Sequence, residues 1–403
     1  MKTLPKLICA VVLIAAAVAG FAPSPGASSE HFVIVNNNDN FFRAQGNNYG
    51  TVLKLAGTKE NPLLNQVASL ATGVQSSGGG PIPSVQVVKV GADICVFLVT
   101  STYQIPNEIS SFKYPNLTLV GNYSDGNVPD YDSAVTIAVG DGYLYATYGN
   151  YLASWAIGEG CALSLGQTYT VNTPEVEGMA VTPDEKTLVL SEALGSFCCV
   201  DSFSIGANGS LTEHGPYELG GAYSPWGMDI TADSKYAVFA GEPYCQNGCE
   251  GFVMVFPINP DGSLGNEEDF GNGEFGLGNF EFNYVRLSPN EKYLYASGGG
   301  DNQITVTALN FSENPMNITS GCTTALRQIS GITAWSLATA GTTGTGEGLY
   351  VAEGNLEVGQ GAVGLLSMDP TTGCATEVPA SPFVLSGAKA VAVSLAAWPP
   401  RPF

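Results

Sequence analysis

Residues that could contact a ligand recur at one point of a repeated sequence pattern. Glu177, Trp226 and Asn283 each precede a short apolar segment, a Pro, Asp or Asn turn, and a second apolar segment, and Lys389 precedes a similar first segment. Other copies carry small residues at this point: Ser84, Ser133 and Ala334. Polar groups beside an aromatic ring suit a sugar-like or cyclic ligand. The alternative is that these groups satisfy turns and hold water.

Glutamates recur at a second point, where the second apolar segment ends. Glu192 and Glu353 close this segment in two copies, and Glu242 follows Gly241 in a third. Converging carboxylates are ligands for hard cations such as calcium, and crowded carboxylates with separated pKa values serve general acid/base catalysis. The pattern therefore predicts an acidic rim, with Ca²⁺ as a candidate ion. An ordinary solvated surface is the alternative, because no EF-hand-like loop is present.

One pair of opposite charges occupies equivalent positions in neighbouring copies of the pattern. Asp229 and Arg286 both stand inside the first segment, so we expect an ion pair between them. The pair could be purely structural. Alternatively, Arg286 could bind a ligand carboxylate or phosphate, because its planar guanidinium presents several donors.

Several other kinds of chemistry lack the residues they need. The chain has two histidines: His31 precedes the N-terminal strand, and His214 belongs to an outer hairpin away from the channel. A Ser-His-Asp or Cys-His nucleophile therefore lacks a plausible base. No phosphate-binding loop or dinucleotide fingerprint is present. The formal net charge of −22 repels phosphate backbones, which argues against nucleic acid as a partner. Neutral sugars or lactones, cations and basic proteins remain as ligands.

The elements that must position these residues are short β-strands. Clear copies of the pattern begin at Gly178, Gly227 and Tyr284, about 50 residues apart, and such a unit is typical of stacked sheets such as propeller blades. Weaker copies begin near Val85, Ala134, Trp335 and Ala390. The count is therefore seven blades.

The two ends of the chain predict a closed ring. Residues 389–395 form a first strand with no second strand after it, and residues 31–35 form a second strand with no first strand before it. Pairing them completes a blade and removes exposed sheet edges. We predict an all-β, seven-bladed propeller of four-stranded antiparallel blades, a single domain over residues 23–403, and a monomer.

Residues 1–22 have the pattern of a secretory signal peptide. Lys2 and Lys6 precede an apolar run that ends in small residues, and no other segment is apolar enough to span a membrane. We expect a secreted or periplasmic protein. Eight of the nine cysteines follow this segment, and an even number in an oxidising compartment indicates disulfides. Their spacing does not match that of a zinc site.

The turns and second strands resemble those of a known family. Residues 288–296 (SPNEKYLYA), 349–353 (LYVAE), 261–264 (DGSL) and 381–383 (SPF) are similar to the repeats of the lactonase-like, or YVTN-type, seven-bladed propellers. The resemblance covers essentially all of the chain after the signal segment. The family includes 6-phosphogluconolactonases and carboxymuconate cyclases, which implies chemistry on small acidic lactones. Members with these activities place His and Arg around the channel, and this chain offers only Arg286 and Glu177 as counterparts.

The hypothesis from these observations is an exported, lactonase-like propeller that binds or hydrolyses a small, neutral, lactone- or sugar-like ligand at the channel mouth. In hydrolysis, Glu177 or Glu192 would activate water and Arg286 would stabilise the developing oxyanion. The remaining candidates would bind the ligand: Trp226, Asn283, Asp229, Glu242, Glu353 and Lys389. The alternative is a non-catalytic module whose acidic rim binds a cation, a glycan or a protein. A scaffold without a ligand is a third interpretation.

Overall fold

The computed structural model describes most of the chain after residue 30. The described residues are 31–38, 46–57, 62–76, 85–100, 108–124, 136–140, 142–148, 151–171, 176–192, 199–219, 223–243, 251–270, 281–300, 303–313, 316–327, 333–340, 348–355, 360–386 and 391–398. Within them, β-strands form seven separate antiparallel sheets, which are the blades of a propeller.

Each blade contains four main strands and two blades carry one short extra strand, and we number the strands β1 to β30 along the chain. The first strands, which neighbour one another around the ring in blades 1 to 7, are β4 (Val85–Val90), β8 (Ile137–Gly140), β12 (Val176–Val181), β17 (Tyr223–Ile230), β21 (Glu281–Leu287), β25 (Thr333–Ala340) and β30 (Val391–Trp398). The second strands are β5 (Asp93–Thr100), β9 (Tyr143–Tyr148), β13 (Thr187–Glu192), β18 (Tyr236–Pro243), β22 (Tyr293–Gly300), β26 (Gly348–Asn355) and β1 (Phe32–Asn38).

The outer strands complete the blades in the same order. The third strands are β6 (Glu108–Tyr114), β10 (Tyr151–Ile157), β14 (Cys199–Ile205), β19 (Phe252–Pro257), β23 (Gln303–Glu313), β27 (Gln360–Met368) and β2 (Gly46–Gly57). The fourth are β7 (Thr118–Tyr123), β11 (Leu163–Thr170), β15 (Leu211–Glu213), β20 (Glu268–Asp269), β24 (Met316–Ala325), β28 (Ala375–Glu377) and β3 (Pro62–Ser76). Two short strands, β16 (Tyr217–Glu218) and β29 (Phe383–Val384), pair with β14 and β27.

The predicted ring closure is confirmed. β30 lies antiparallel to β1 in blade 7, with Val35 opposite Leu395 and Phe32 opposite Trp398. Strands from the two ends of the described chain therefore form one sheet, and hydrogen bonds between them close the ring. The predicted seven-bladed, all-β fold is confirmed with it.

Apolar residues fill the spaces between blades because both faces of each second strand are covered. In β26, Leu349 and Val351 pack with side chains of blade 5, whereas Tyr350 and Ala352 pack with side chains of blade 7. Side chains alternate between the two faces of a strand. A strand buried on both faces is therefore a continuous apolar run, as the sequence of β26 shows.

One turn joins the first and second strands of blades 3, 4 and 5. In blade 3 the Thr182 hydroxyl accepts from Thr187 N at 2.9 Å, and Asp184 Oδ1 accepts from Lys186 N at 3.2 Å. The same bonds recur in the turns 231–235 and 288–292. These bonds explain why the repeated sequence carries Thr or Ser, then Asp or Asn, before a Lys.

The fourth residue of this turn has a left-handed backbone, with φ of +60° at Glu185 and +53° at Glu291. We expect Glu185→Gly to raise the free energy of unfolding by about 1 kcal/mol, because an L-residue costs about that much in this conformation. Glu291→Gly should not be stabilising, since Glu291 Oε1 also accepts from Ala232 N of blade 4 at 2.6 Å. Urea unfolding of both variants measures the difference, and equal effects would contradict this assignment.

The even cysteine count predicted disulfides, and two of those in the described residues connect neighbouring blades. Cys95 of blade 1 pairs with Cys161 of blade 2, and Cys322 of blade 5 pairs with Cys374 of blade 6. Cys199 is disulfide-bonded as well. Such bonds are typical of an oxidising compartment. Across the described residues, no helix reaches the length and apolarity that a membrane span requires.

Candidate functional site

A β-bulge interrupts the first strand at the same point in consecutive blades. The extra residue is Glu177 in β12, Trp226 in β17, Asn283 in β21 and Trp335 in β25. A bulge leaves one residue out of the ladder and re-aims its side chain, and bulges are frequent beside active sites. Three of these residues, Glu177, Trp226 and Asn283, are the candidates that precede the first apolar segment of the sequence repeat. In blade 6 the prediction of Ala334 was wrong by one position, because the bulge places Trp335 there.

Glu177 and Tyr284 interact electrostatically although blades 3 and 5 are not neighbours. Both side chains are buried, Glu177 with 7% of its surface exposed and Tyr284 with 1%. Burial raises the pKa of the Tyr284 phenol well above its ordinary value, the charge of Glu177 raises it further, and Arg286 opposes the rise. The first strands of blades 3 and 5 thus hold a carboxylate and a guanidinium within electrostatic range of one phenol. The sequence did not single out Tyr284, although Tyr284 directly follows the candidate residue Asn283.

The expected ion pair between Asp229 and Arg286 is present. Arg286 Nη1 lies 4.0 Å from Asp229 Oδ1 and donates to the carbonyl of Met228. Asp229 also accepts two backbone hydrogen bonds, from Leu287 N at 2.7 Å and from Ile230 N at 3.0 Å. Asp229 therefore links blade 4 to blade 5, and Arg286 is held in place by its two partners from β17.

Two buried donors of this region have no hydrogen-bond partner. They are the indole Nε1 of Trp226 and the hydroxyl of Tyr284, and neither has a partner in the part of the chain that the structure describes. A buried polar group without a partner costs free energy unless something else bonds to it. Trp226 and Tyr284 occupy neighbouring blades, and Tyr284 stands one residue after the bulge position that Trp226 occupies in blade 4.

The predicted acidic rim is wrong for two of its members. Glu192 and Glu353 are completely buried, so they do not form part of an exposed surface. The cause is strand periodicity, because Glu192 shares a face with Leu190, and Glu353 shares a face with Val351. Those faces pack against blades 2 and 5, so both carboxylates lie between blades.

Glu192 belongs to an acidic cluster that extends outward through blade 3. Asp201 of β14 is completely buried beside it, and Glu213 of β15 interacts with Asp201. Burial, followed by the charges of Glu192 and Glu213, raises the pKa of Asp201 to about 8. Analysis of the sequence missed Asp201, for which the signal was one acidic residue within an apolar strand.

Glu353 has an equivalent environment in blade 6. Burial, followed by the charge of Glu377, raises the pKa of Glu353 to about 8. Gly364 of blade 6 stands opposite Val351, which is the position that Asp201 occupies opposite Leu190 in blade 3. A Cβ on Gly364 would lie only 2.5 Å from Glu353 Oε1. Arg327 of blade 5 partly neutralises Glu377, because its N and Nε donate to Glu377 Oε2 at 2.7 and 3.1 Å.

For the remaining predicted residues, the structure gives at most the position of the backbone. Asn283 and Glu242 lie in β21 and β18 as far as the backbone is concerned, and Lys389 lies outside the described residues. Among the described side chains, no three His, Cys, Asp or Glu residues are grouped so that they could hold a metal ion. The suggestion of Ca²⁺ therefore stays a prediction.

Comparison with solved structures gives similarity over nearly the whole chain. The putative 6-phosphogluconolactonase of Bacteroides fragilis is 16% identical and has a TM-score of 0.63, with 93% of this chain and 99% of that chain covered. The periplasmic gluconolactonase PpgL of Pseudomonas aeruginosa is 15% identical and has a TM-score of 0.58, with 92% and 99% covered.

The chain has the lactonase-like propeller fold. A putative 6-phosphogluconolactonase of Bacteroides uniformis gives the same result, at 13% identity and a TM-score of 0.65 over 92% of this chain and 99% of that one. No protein-family model and no curated protein matches the sequence. At this level of identity the lactonase-like propeller fold is shared, and an activity has to be argued from the site itself.

Proposed function

We propose that this protein hydrolyses a small, neutral lactone at the mouth of its channel, in an extracytoplasmic compartment. The observation that carries the proposal is that Glu177 of blade 3 and Arg286 of blade 5 both act electrostatically on the buried phenol of Tyr284, although the two blades are not adjacent. The fold of the lactonase-like propellers and the disulfides between blades support it.

Glu177 is the general base in this proposal. Its carboxylate takes a proton from water while the water oxygen attacks the lactone carbonyl, and it returns the proton to the ring oxygen as the ring opens. The product is a hydroxy acid, and no other reactant is needed. Arg286 supplies positive charge near the developing oxyanion. Its contacts with Met228 and Asp229 keep the guanidinium from a direct hydrogen bond to the ligand.

The test uses a panel of lactones that includes D-glucono-1,5-lactone, with acid release followed at constant pH. We expect Glu177→Gln to lower kcat/KM by about 10²–10⁴-fold, the range typical for loss of a general base. Glu185→Gln is the matched control, because Glu185 is exposed in the β12–β13 turn of the same blade. Wild-type protein without turnover on the panel, or a fully active Glu177→Gln, would contradict the proposal.

A chelator arm separates the hydrolase from a module that binds a cation. We expect EDTA to leave both turnover and the melting temperature unchanged. Loss of both would instead favour a metal-dependent function of the rim.

A further inference from the structure

We propose that Asp229 determines which lactones this protein accepts: its carboxylate pairs with Arg286, so the channel accepts neutral lactones and rejects those that carry a phosphate or a carboxylate. The inference rests on the proposed hydrolysis and names the residue that selects its substrate. The sequence left open whether Arg286 binds an anionic group of the ligand, and the proposal gives that position to Asp229.

Arg286 lies along the channel-side edge of β21. Tyr284, on the same face of the strand, and Tyr295, opposite Arg286, both pack with side chains of blade 6. The guanidinium nevertheless donates to Met228 O of blade 4. The outer edge of β21 is paired with β22, so the Arg286 side chain reaches blade 4 across the edge that lines the channel. With 26% of its surface exposed, this side chain is accessible to a ligand in the channel.

Asp229 reaches the same edge from blade 4. Met228 and Ile230, on either side of it, pack with side chains of blade 3, so the Asp229 side chain points toward blade 5. Its Oδ2 accepts from Leu287 N at 2.7 Å, and its Oδ1 accepts from Ile230 N at 3.0 Å. The same Oδ1 lies 4.0 Å from Arg286 Nη1. Two backbone hydrogen bonds therefore fix the carboxylate beside the guanidinium.

The charges of Glu177, Asp229 and Arg286 sum to one negative charge. Glu177 and Arg286 both act electrostatically on the phenol of Tyr284, and Asp229 faces Arg286. An anionic ligand in this part of the channel therefore meets net repulsion, and the guanidinium that would bind its anionic group is already paired. A neutral lactone meets neither obstacle. A protein can discriminate against a ligand in this way, by placing an unfavourable charge where that ligand would bind.

The test compares D-glucono-1,5-lactone with its 6-phosphate, which has the same ring. We expect wild-type kcat/KM to be lower by about tenfold or more for the phosphate. Asp229→Asn should raise the ratio of kcat/KM for the phosphate to kcat/KM for the neutral lactone by about 10–100-fold, because it removes one negative charge and releases Arg286. This ratio does not depend on the fraction of folded protein, so a loss of stability in the variant does not affect it.

Asp233→Asn is the matched control. It makes the same change of charge in the β17–β18 turn of the same blade, where Asp233 Oδ1 accepts from Lys235 N at 3.1 Å. This variant should keep the wild-type ratio.

The double variant Asp229→Asn with Arg286→Met tests the part played by the guanidinium. It has the same charge sum as the wild type, and it lacks the group that would bind the phosphate. We therefore expect the gain of Asp229→Asn to disappear. A gain that persists in the double variant would show that Arg286 is not involved and would overturn the proposal.

Two further results separate this inference from the proposed function. If Asp229→Asn keeps the wild-type ratio, the role of Asp229 falls and the hydrolysis of lactones stands. If wild-type protein hydrolyses neither lactone, the proposed function falls and this inference falls with it.

Discussion

The folded protein is expected to be most stable near pH 4 and to lose stability as the pH rises toward 8. The reason is that two separate buried carboxyls, Asp201 in blade 3 and Glu353 in blade 6, have pKa values that rise from 3.8 and 4.5 to about 8 on folding. Between these values the folded state binds more protons than the unfolded state, so stability decreases with pH. The stabilisation is complete below the unfolded pKa and is lost once pH passes the folded pKa. Each group accounts for roughly 3–5 kcal/mol over this window.

Urea unfolding at intervals between pH 4 and pH 9 measures this slope. Glu353→Gln and Asp201→Asn should each flatten it and raise stability at pH 8, because an uncharged amide replaces a group that must ionise while buried. Glu185→Gln is the control, since that carboxylate is exposed. A wild-type protein whose stability increases from pH 5 to pH 8 would contradict the assignment.

Asp229→Ala is expected to lower the free energy of unfolding by about 2–4 kcal/mol. The substitution removes the hydrogen bonds from Leu287 N and Ile230 N to the carboxylate, and it removes the carboxylate that faces Arg286. Arg286→Met should cost less, about 1–2 kcal/mol, because Asp229 keeps both backbone hydrogen bonds. We therefore expect Asp229→Ala to lower the free energy of unfolding more than Arg286→Met does.

Equilibrium unfolding in urea at pH 5 compares these two variants, with Asp229→Asn as an intermediate case that keeps one acceptor oxygen. Equal losses for Asp229→Ala and Arg286→Met would indicate that the ion pair, rather than the link between blades 4 and 5, dominates. A larger loss for Arg286→Met would refute the argument.

The fold could be predicted from the sequence because each turn requires particular residue types at fixed spacing. Thr182, Asp184 and their equivalents bond to specific backbone groups, so their types and spacing recur wherever the turn recurs. Ring closure was predicted for a related reason. A first strand and a second strand each lacked a neighbour in the sequence, and β30 and β1 supply one another.

The site was predicted less completely because its details depend on register. One extra residue per bulge is not visible in the sequence, so Ala334 was placed where the structure has Trp335. Glu192 and Glu353 stand at strand ends, which suggested the rim, but they share faces with Leu190 and Val351 and are buried. Tyr284 could not be separated from ordinary core tyrosines, because its electrostatic interaction with Glu177 joins residues that are more than a hundred positions apart.

The pairing of β30 with β1 also sets the order of events during biosynthesis. The inner partner of β1 is the last of the described strands along the chain, so residues 32–38 wait with one edge open until residues 391–398 have emerged. Nascent chains of this protein thus pass through a long period with an unprotected strand edge, which is the state that chaperones shield from intermolecular pairing. Any truncation that removes residues 391–398 should leave that edge permanently available to other chains.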